Sequence, residues 1–372
     1  MKQFTLSVES LFDGDEISYQ KTITVEGGII TSIEDNPNST TECLSGMLVP
    51  GFIDIQVNGG GGLLFNQSPS AETIQTIGRA HQKFGTTGWL PTLVTDSLEQ
   101  MQKAADAVTE VRAEEGSGVL GIHFEGPHLS TIKKGVHPEN FIRSLSDAEH
   151  NIFTRSDLGQ VVVTLAPENV TPKYISKLVK SGVIVCLGHS NASFEQTNAA
   201  LEAGATGFTH LFNAMSAFTS REPGMVGAAL LSDRYCGIIL DGIHVHPSTA
   251  KLAYRSHKEM ILVTDAMPPV GVEQTSFEFF GQVVTRTNDT LTDSQGRLAG
   301  SVLTMQSAVN NSTEMLGIKH TEAINLASRN PAKFLGIESQ YGSIRIGHKA
   351  SMLLLDDSGS VSSSWIEGKQ SN

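Results

Sequence analysis

From Gly51 onward the chain alternates short runs of consecutive apolar residues with longer stretches whose apolar positions recur every three or four residues. An unbroken apolar run reads as a strand covered on both faces, and a three-to-four spacing reads as a helix with one buried stripe. Eight runs qualify: Phe52–Val57, Trp89–Val94, Val119–Glu125, Val161–Ala166, Val183–Leu187, Thr206–His210, Cys236–Leu240 and Ile261–Asp265. Helical stretches lie between them. In Ala71–Phe84, Ser70 can cap the first turn and Ile74, Ile77 and His81 share a face; Leu98–Glu114 repeats the pattern. Eight such units predict a (β/α)₈ barrel rather than an open nucleotide-binding sheet, because the glycine run Gly59–Gly62 is not a G-x-G-x-x-G opening a helix.

The chain ends read differently. Phe4–Val8, Lys21–Val25 and Ile29–Ile33 alternate with period two, and Asp13-Gly14 and Gly27-Gly28 separate them. Beyond the barrel, Phe277–Leu298 predicts a β-hairpin inserted near 275–300, and helical spacing resumes over Ser301–Leu316 and Thr321–Leu335. Ser343–Ile346 and Ser351–Leu355 then return to strand character. The expected organisation is a barrel over 50–335 and a small β-sandwich domain formed from both chain ends, 1–49 and 336–372.

Composition narrows the function class. The 372 residues can bury a large core, and a formal net charge of -13 spread along the chain argues against binding nucleic acid or an anionic membrane. The three cysteines, Cys43, Cys186 and Cys236, are isolated and read as reduced core residues. The N-terminus lacks the apolar core of a secretory signal and no segment is long enough to span a bilayer, so a cytoplasmic location is expected.

In a barrel of this kind chemistry gathers where strands end at the carboxyl face. Strand one ends in Gln56 and Asn58 within PGFIDIQVNGGGG, strand three in His123 and Glu125, strand five in His189, strand six in His210 and strand eight in Asp265. Glu125, His189 and His210 make a catalytic metal set, three N/O ligands with one open position, suited to one Zn²⁺ or Fe²⁺ per chain. Each residue alone reads as a hydrogen-bonded core histidine or buried carboxylate; the three together at strand ends favour the metal. The H-x-E at His123–Glu125 is not a zinc deaminase site, since P-C-x-x-C is absent, and His123 reads as a supporting residue. Asp265 can take a proton from a water and return it to a leaving amine. His137, Asn213, Ala214, Arg221 and His244 lie in loops and suit an anionic, oxygen-rich group such as phosphate.

Taken in order, PGFIDIQVNGGGG, HFEGPH, KKGVHPENF, LAPE, LGHSNA, THLFNAMS, REPG, DGIHV, VTDAM, AGSVLTM and NPAKFLG make the chain resemble the amidohydrolase superfamily, in its branch of N-acetylglucosamine-6-phosphate deacetylases. The resemblance implies hydrolysis of the acetamide of N-acetyl-D-glucosamine 6-phosphate to acetate and D-glucosamine 6-phosphate. It gives Glu125, His189 and His210 as metal ligands, Asp265 as catalytic carboxylate and His137 as the group that positions the acetamide carbonyl. Asn213, Ala214, Arg221, His244 and Met305 fall to the sugar phosphate. Many superfamily members carry H-x-H where this chain has Gln56 and Asn58, so the second metal position is degenerate and a single ion is expected. The resemblance further implies a homodimer with phosphate contacts across the interface. Two other readings stand beside it: an amidohydrolase acting on another N-acyl amino sugar or a cyclic amide, and a non-enzymatic sugar-phosphate sensor.

Overall fold

The computed structural model describes residues 3–35 and 43–371. Eight strands pair in chain order as parallel neighbours: Phe52–Val57, Thr86–Val94, Gly121–Glu125, Gln160–Leu165, Ile184–Leu187, Gly207–Phe208, Tyr235–Ile238 and Met260–Leu262. Nearly every residue in them is buried, as expected of strands packed inward against each other and outward against helices. Strand eight returns to strand one through a parallel bridge between Val57 and Ala266 and through Asp265 N–H to the Gln56 carbonyl at 3.0 Å. That seam closes the barrel and brings the ends of strands one and eight together.

Asp54 interrupts the apolar run of strand one because it works at this seam. Its carboxylate accepts from the Thr264 hydroxyl at 2.5 Å, the Thr264 N–H at 3.4 Å and the Gln56 N–H at 3.1 Å. Burial pushes the carboxyl up to about 7, against the lowering effect of those three bonds.

The helices start where the sequence places caps. Ser70 accepts from Thr73 N–H ahead of Ala71–Gln82, and Ser97 accepts from Gln100 N–H ahead of Leu98–Arg112. Helix Ala71–Gln82 buries Ile74, Ile77 and His81, and the His81 ring reaches the Gly59 carbonyl at 2.9 Å. The glycine run packs under this helix. Gly61 and Gly62 adopt positive φ and bond to the carbonyls of Val270 and Pro268, and a Cβ on Gly59 would lie 2.6 Å from the Leu63 carbonyl. The close approach these glycines permit is to the backbone of Leu63, Pro268 and Val270.

Strands from both chain ends form one seven-stranded sheet, in the order 369–371, 361–366, 352–355, 43–50, 4–12, 17–26, 29–35. Its own core contains Val8, Leu11, Ile23, Val25, Ile30, Leu48, Met352, Leu354 and Trp365. Strands Cys43–Pro50 and Val361–Ile366 were not expected, whereas Ser343–Ile346 is not a strand. Gly342 and Gly347, both at positive φ, turn the chain on either side of it, and Ile344 N–H makes a single bond to the Asp13 carbonyl.

Three further differences concern the C-terminal half. The inserted hairpin is a three-stranded sheet over 276–279, 282–287 and 290–292. The helix expected from Ser301 starts at Met305, capped by Thr304, since Ser301 is engaged at the barrel rim. The helix expected over Thr321–Leu335 splits at Ser328 into His320–Ala327 and Arg329–Phe334, because Pro331 lacks the N–H that a continuous helix needs. Cys186 and Cys236 are buried as expected; Cys43 is exposed, at the start of its strand. No helix among the described residues is long and apolar enough to cross a membrane.

Candidate active site

A cavity of about 510 Å³ opens at the carboxyl end of the barrel strands. Among its lining residues are Asn58, Glu125, His137, His189, His210 and Asp265. His189, His210 and Asp265 each adopt positive φ, 46°, 35° and 51°, a region that side chains other than glycine seldom occupy. Such conformations persist where surrounding structure enforces them, and here they fall on three residues singled out for chemistry.

Glu125, His189 and His210 present one ligand atom each to a common point. Glu125 Oε1 lies 3.1 Å from His189 Nε2 and 3.0 Å from His210 Nε2, and the two nitrogens are 3.0 Å apart. All three residues are buried. His189 Nδ1 donates to the Lys133 carbonyl at 2.9 Å, while His210 Nδ1 is buried with no hydrogen-bond partner among the described residues. Two imidazole nitrogens and a carboxylate oxygen packed this closely fit a divalent metal ion.

Without a cation, protons take over the balance. Burial opposes charge on Glu125, but the bonds from His189 and His210 prevail and hold its carboxyl well below the usual range. Burial likewise opposes charge on His210, and the bond and charge of Glu125 raise it above its ordinary value.

Asp265 stands beside this set. Burial, and then the charge of Glu125, push its carboxyl up to about 6. Asn58 Nδ2 lies 2.6 Å and Gln56 Nε2 3.3 Å from its Oδ1, and Ser301 N–H donates to its carbonyl at 2.9 Å. His137 is buried on the other side, with its ring 4.3 Å from that of His189. Burial, and then the neighbouring His189, pull it down to about 3, so it is a neutral imidazole at neutral pH. Its Nδ1 meets the Thr95 hydroxyl at 2.9 Å.

His123 sits one layer lower. Its Nδ1 faces the Ile55 carbonyl at 2.9 Å and must carry the hydrogen, so Nε2 accepts from Thr164 at 2.7 Å, and Thr164 in turn accepts from Thr209 at 2.6 Å. This chain ties strand three to the end of strand six directly beneath Glu125 and His210, which is the supporting place the sequence suggests.

Asn213, Ala214 and His244 line the cavity. His244 Nδ1 is held by Asp241 Oδ2 at 2.6 Å, and Asp241 Oδ1 also accepts the backbone N–H groups of Ile243 and His244. Arg221 is exposed, in the loop before helix Gly224–Leu231, and Met305 is fully buried in the main core; neither lines this cavity. Sequence reasoning missed Thr95, one residue past strand two, and Asp241, three residues before His244. The strand-end rule that found Glu125 could have found Thr95. It also missed Lys133, Phe279 and Arg297 at the cavity wall, the last two belonging to the inserted β-sheet region.

The family model "Amidohydrolase family" matches residues 47–371. An N-acetylgalactosamine-6-phosphate deacetylase of Shewanella sp. (strain ANA-3) is 52% identical over 328 residues, covering 87% of this chain and 83% of that protein. An N-acetylglucosamine-6-phosphate deacetylase of Haemophilus influenzae is 36% identical over 328 residues, 87% of this chain and 86% of its own. The crystal structure of N-acetylglucosamine-6-phosphate deacetylase from Pasteurella multocida superposes with a TM-score of 0.95 at 35% identity, covering 99% of this chain and 100% of that one. With its closed barrel, its buried Glu–His–His set and this span of similarity, the chain belongs to the amidohydrolase family.

Proposed function

We propose that the chain is a metal-dependent deacetylase that hydrolyses the acetamide of N-acetyl-D-glucosamine 6-phosphate to acetate and D-glucosamine 6-phosphate. The observation that carries this is the pairing of the Glu125–His189–His210 set with a separate carboxylate, Asp265, in one cavity, on a chain whose relatives are amino-sugar-phosphate deacetylases.

Glu125, His189 and His210 would hold one Zn²⁺ or Fe²⁺, which supplies a Lewis acid that lowers the pKa of a water and polarises a carbonyl. Asp265 accepts the proton as the water oxygen adds to the acetamide carbon. When the C–N bond breaks, Asp265 returns that proton to the nitrogen, so the sugar leaves as a neutral amine rather than an amide anion. His137 donates from Nε2 to the carbonyl oxygen as charge develops there, which requires the Thr95 hydroxyl to give its hydrogen to Nδ1. Asn213, Ala214 and His244 orient the sugar phosphate. Arg221, exposed and outside the cavity, would reach a phosphate from a second copy of the chain.

A second reading concerns the sugar. The 52% identical relative is named for the C4 epimer, N-acetylgalactosamine 6-phosphate. Acetate release from both 6-phosphates and from both unphosphorylated sugars, on one preparation of known metal content, tests the reaction and ranks the epimers. Release that prefers phosphorylated substrate and stops on chelation is expected. No release from any of the four by metal-loaded protein overturns the reading.

A further inference from the structure

Gln56 and Asn58 occupy the place where paired histidines would ligate a second metal, yet each presents its amino end to a carboxylate. Asn58 Nδ2 and Gln56 Nε2 both reach Asp265 Oδ1, at 2.6 Å and 3.3 Å, and the same Gln56 nitrogen lies 3.2 Å from Glu125 Oε2. Ionised carboxylates only accept, so chemistry sets these amide orientations: the N–H₂ groups must face the acids. The two hydrogens of Gln56 are then divided between Glu125 and Asp265, and a neutral donor stands between two buried carboxylates that would otherwise repel.

Asn58 is more committed still. It is 2% exposed, it lines the cavity, and its Oδ1 is buried with no partner among the described residues. The backbone reinforces the arrangement, since Asp265 N–H donates to the Gln56 carbonyl at 3.0 Å and Asp265 is held at φ 51°.

We propose that Gln56 and Asn58 are positioning residues for Asp265: together they occupy Oδ1 and leave Oδ2 as the oxygen that takes the proton from water and returns it to the amine. This rests on the deacetylase reading above. It assigns the degenerate metal position a present use, since the amide nitrogens of both residues there meet carboxylate oxygens of Glu125 and Asp265. Either oxygen of an unrestrained carboxylate could meet the proton; with Oδ1 occupied, one does, and in one orientation.

The test is kinetic and uses the full chain loaded with one metal ion. Asn58→Leu keeps the approximate volume and removes the donor. Loss of a hydrogen bond to a charged group predicts a fall in kcat of roughly ten- to a hundredfold, with KM and metal content held. The discriminating readout is the same substitution in an Asp265→Asn background. A residue that acts through Asp265 has nothing left to act on there, so the residual rate should change by less than about twofold. Gln56→Met, judged the same way, serves if Asn58→Leu does not fold. An equal fractional loss in both backgrounds, or loss of the metal, overturns the inference while leaving the deacetylase reading intact. Failure of metal-loaded wild-type protein to release acetate overturns both.

Discussion

His189 Nδ1 lies 2.9 Å from the carbonyl oxygen of Lys133, an atom that can only accept, so the ring hydrogen is on Nδ1 and a neutral His189 turns the lone pair of Nε2 toward Glu125 Oε1 at 3.1 Å. A lone pair and a carboxylate oxygen face each other there only with a cation or a proton between them. Dialysis against a strong chelator is therefore expected to abolish acetate release and to lower Tm, because a ligand bound only by the folded chain stabilises it. Adding back Zn²⁺ or Fe²⁺ should restore both at one ion per chain. Two ions bound per chain with comparable affinity would contradict the single-metal reading of Gln56 and Asn58.

Asp265→Asn keeps the shape of the side chain and removes the proton acceptor. Turnover should fall by roughly 10²- to 10⁴-fold, the usual worth of a positioned general base. Metal content should stay at one ion per chain, because Asp265 is outside the Glu125–His189–His210 set. Near-normal kcat in that variant, measured as acetate release, would remove Asp265 from the mechanism.

The barrel was legible because its strands are buried on both faces and so leave unbroken apolar runs; Phe52–Val57 was located to the residue. The end sheet was less so. Cys43–Pro50 carries Ser45 and Gly46, and Val361–Ile366 carries three serines, so neither shows a clean alternation. In the site, Glu125, His189 and His210 could be found from residue type and strand-end position alone. Thr95 shares that strand-end position, but its partner does not show in the sequence, since it meets His137 across 42 residues; Asp54 could not be found, because its role lies in Thr264, 210 residues on.

The loop that carries His137 is anchored by Arg143, whose Nε meets Glu149 Oε1 at 2.7 Å and whose Nη1 donates to the carbonyls of Asp96 and Phe141. Burial raises the Glu149 carboxyl, but bonds from the Ser146 hydroxyl and Arg143 outweigh it and hold it at about 2. A carboxyl whose folded pKa is depressed contributes stability that is complete above its unfolded pKa and is lost as pH falls through the folded one. Glu149→Gln should therefore lower Tm by a few degrees at pH 6, and the difference from wild type should shrink between about pH 4.5 and about pH 2. A Tm difference that persists unchanged at pH 2 would place the effect in packing rather than charge.

Arg221 and His244 make different predictions although both are assigned to the phosphate. His244 lines the cavity with its ring fixed by Asp241, so His244→Ala should raise KM for the phosphorylated sugar in any assembly state. Arg221 is exposed and lines no part of that cavity, and under the proposed reading it contributes through the loop of a second copy. Arg221→Ala should raise KM by roughly ten- to a hundredfold, the cost of a lost charge-assisted contact, and leave the rate on unphosphorylated sugar unchanged. Mixing then separates the two. Chains carrying Asp265→Asn have no base but keep Arg221, and chains carrying Arg221→Ala have the base but not the arginine. Refolded or co-expressed together, they should form mixed dimers in which one site has both groups, and low-substrate activity should exceed the sum of the separate proteins. His244→Ala mixed with Asp265→Asn should show no such gain, because both residues belong to the same cavity wall. Absence of complementation with Arg221→Ala, in a preparation shown to contain mixed dimers, would confine the phosphate site to one chain and leave Arg221 without a part in it.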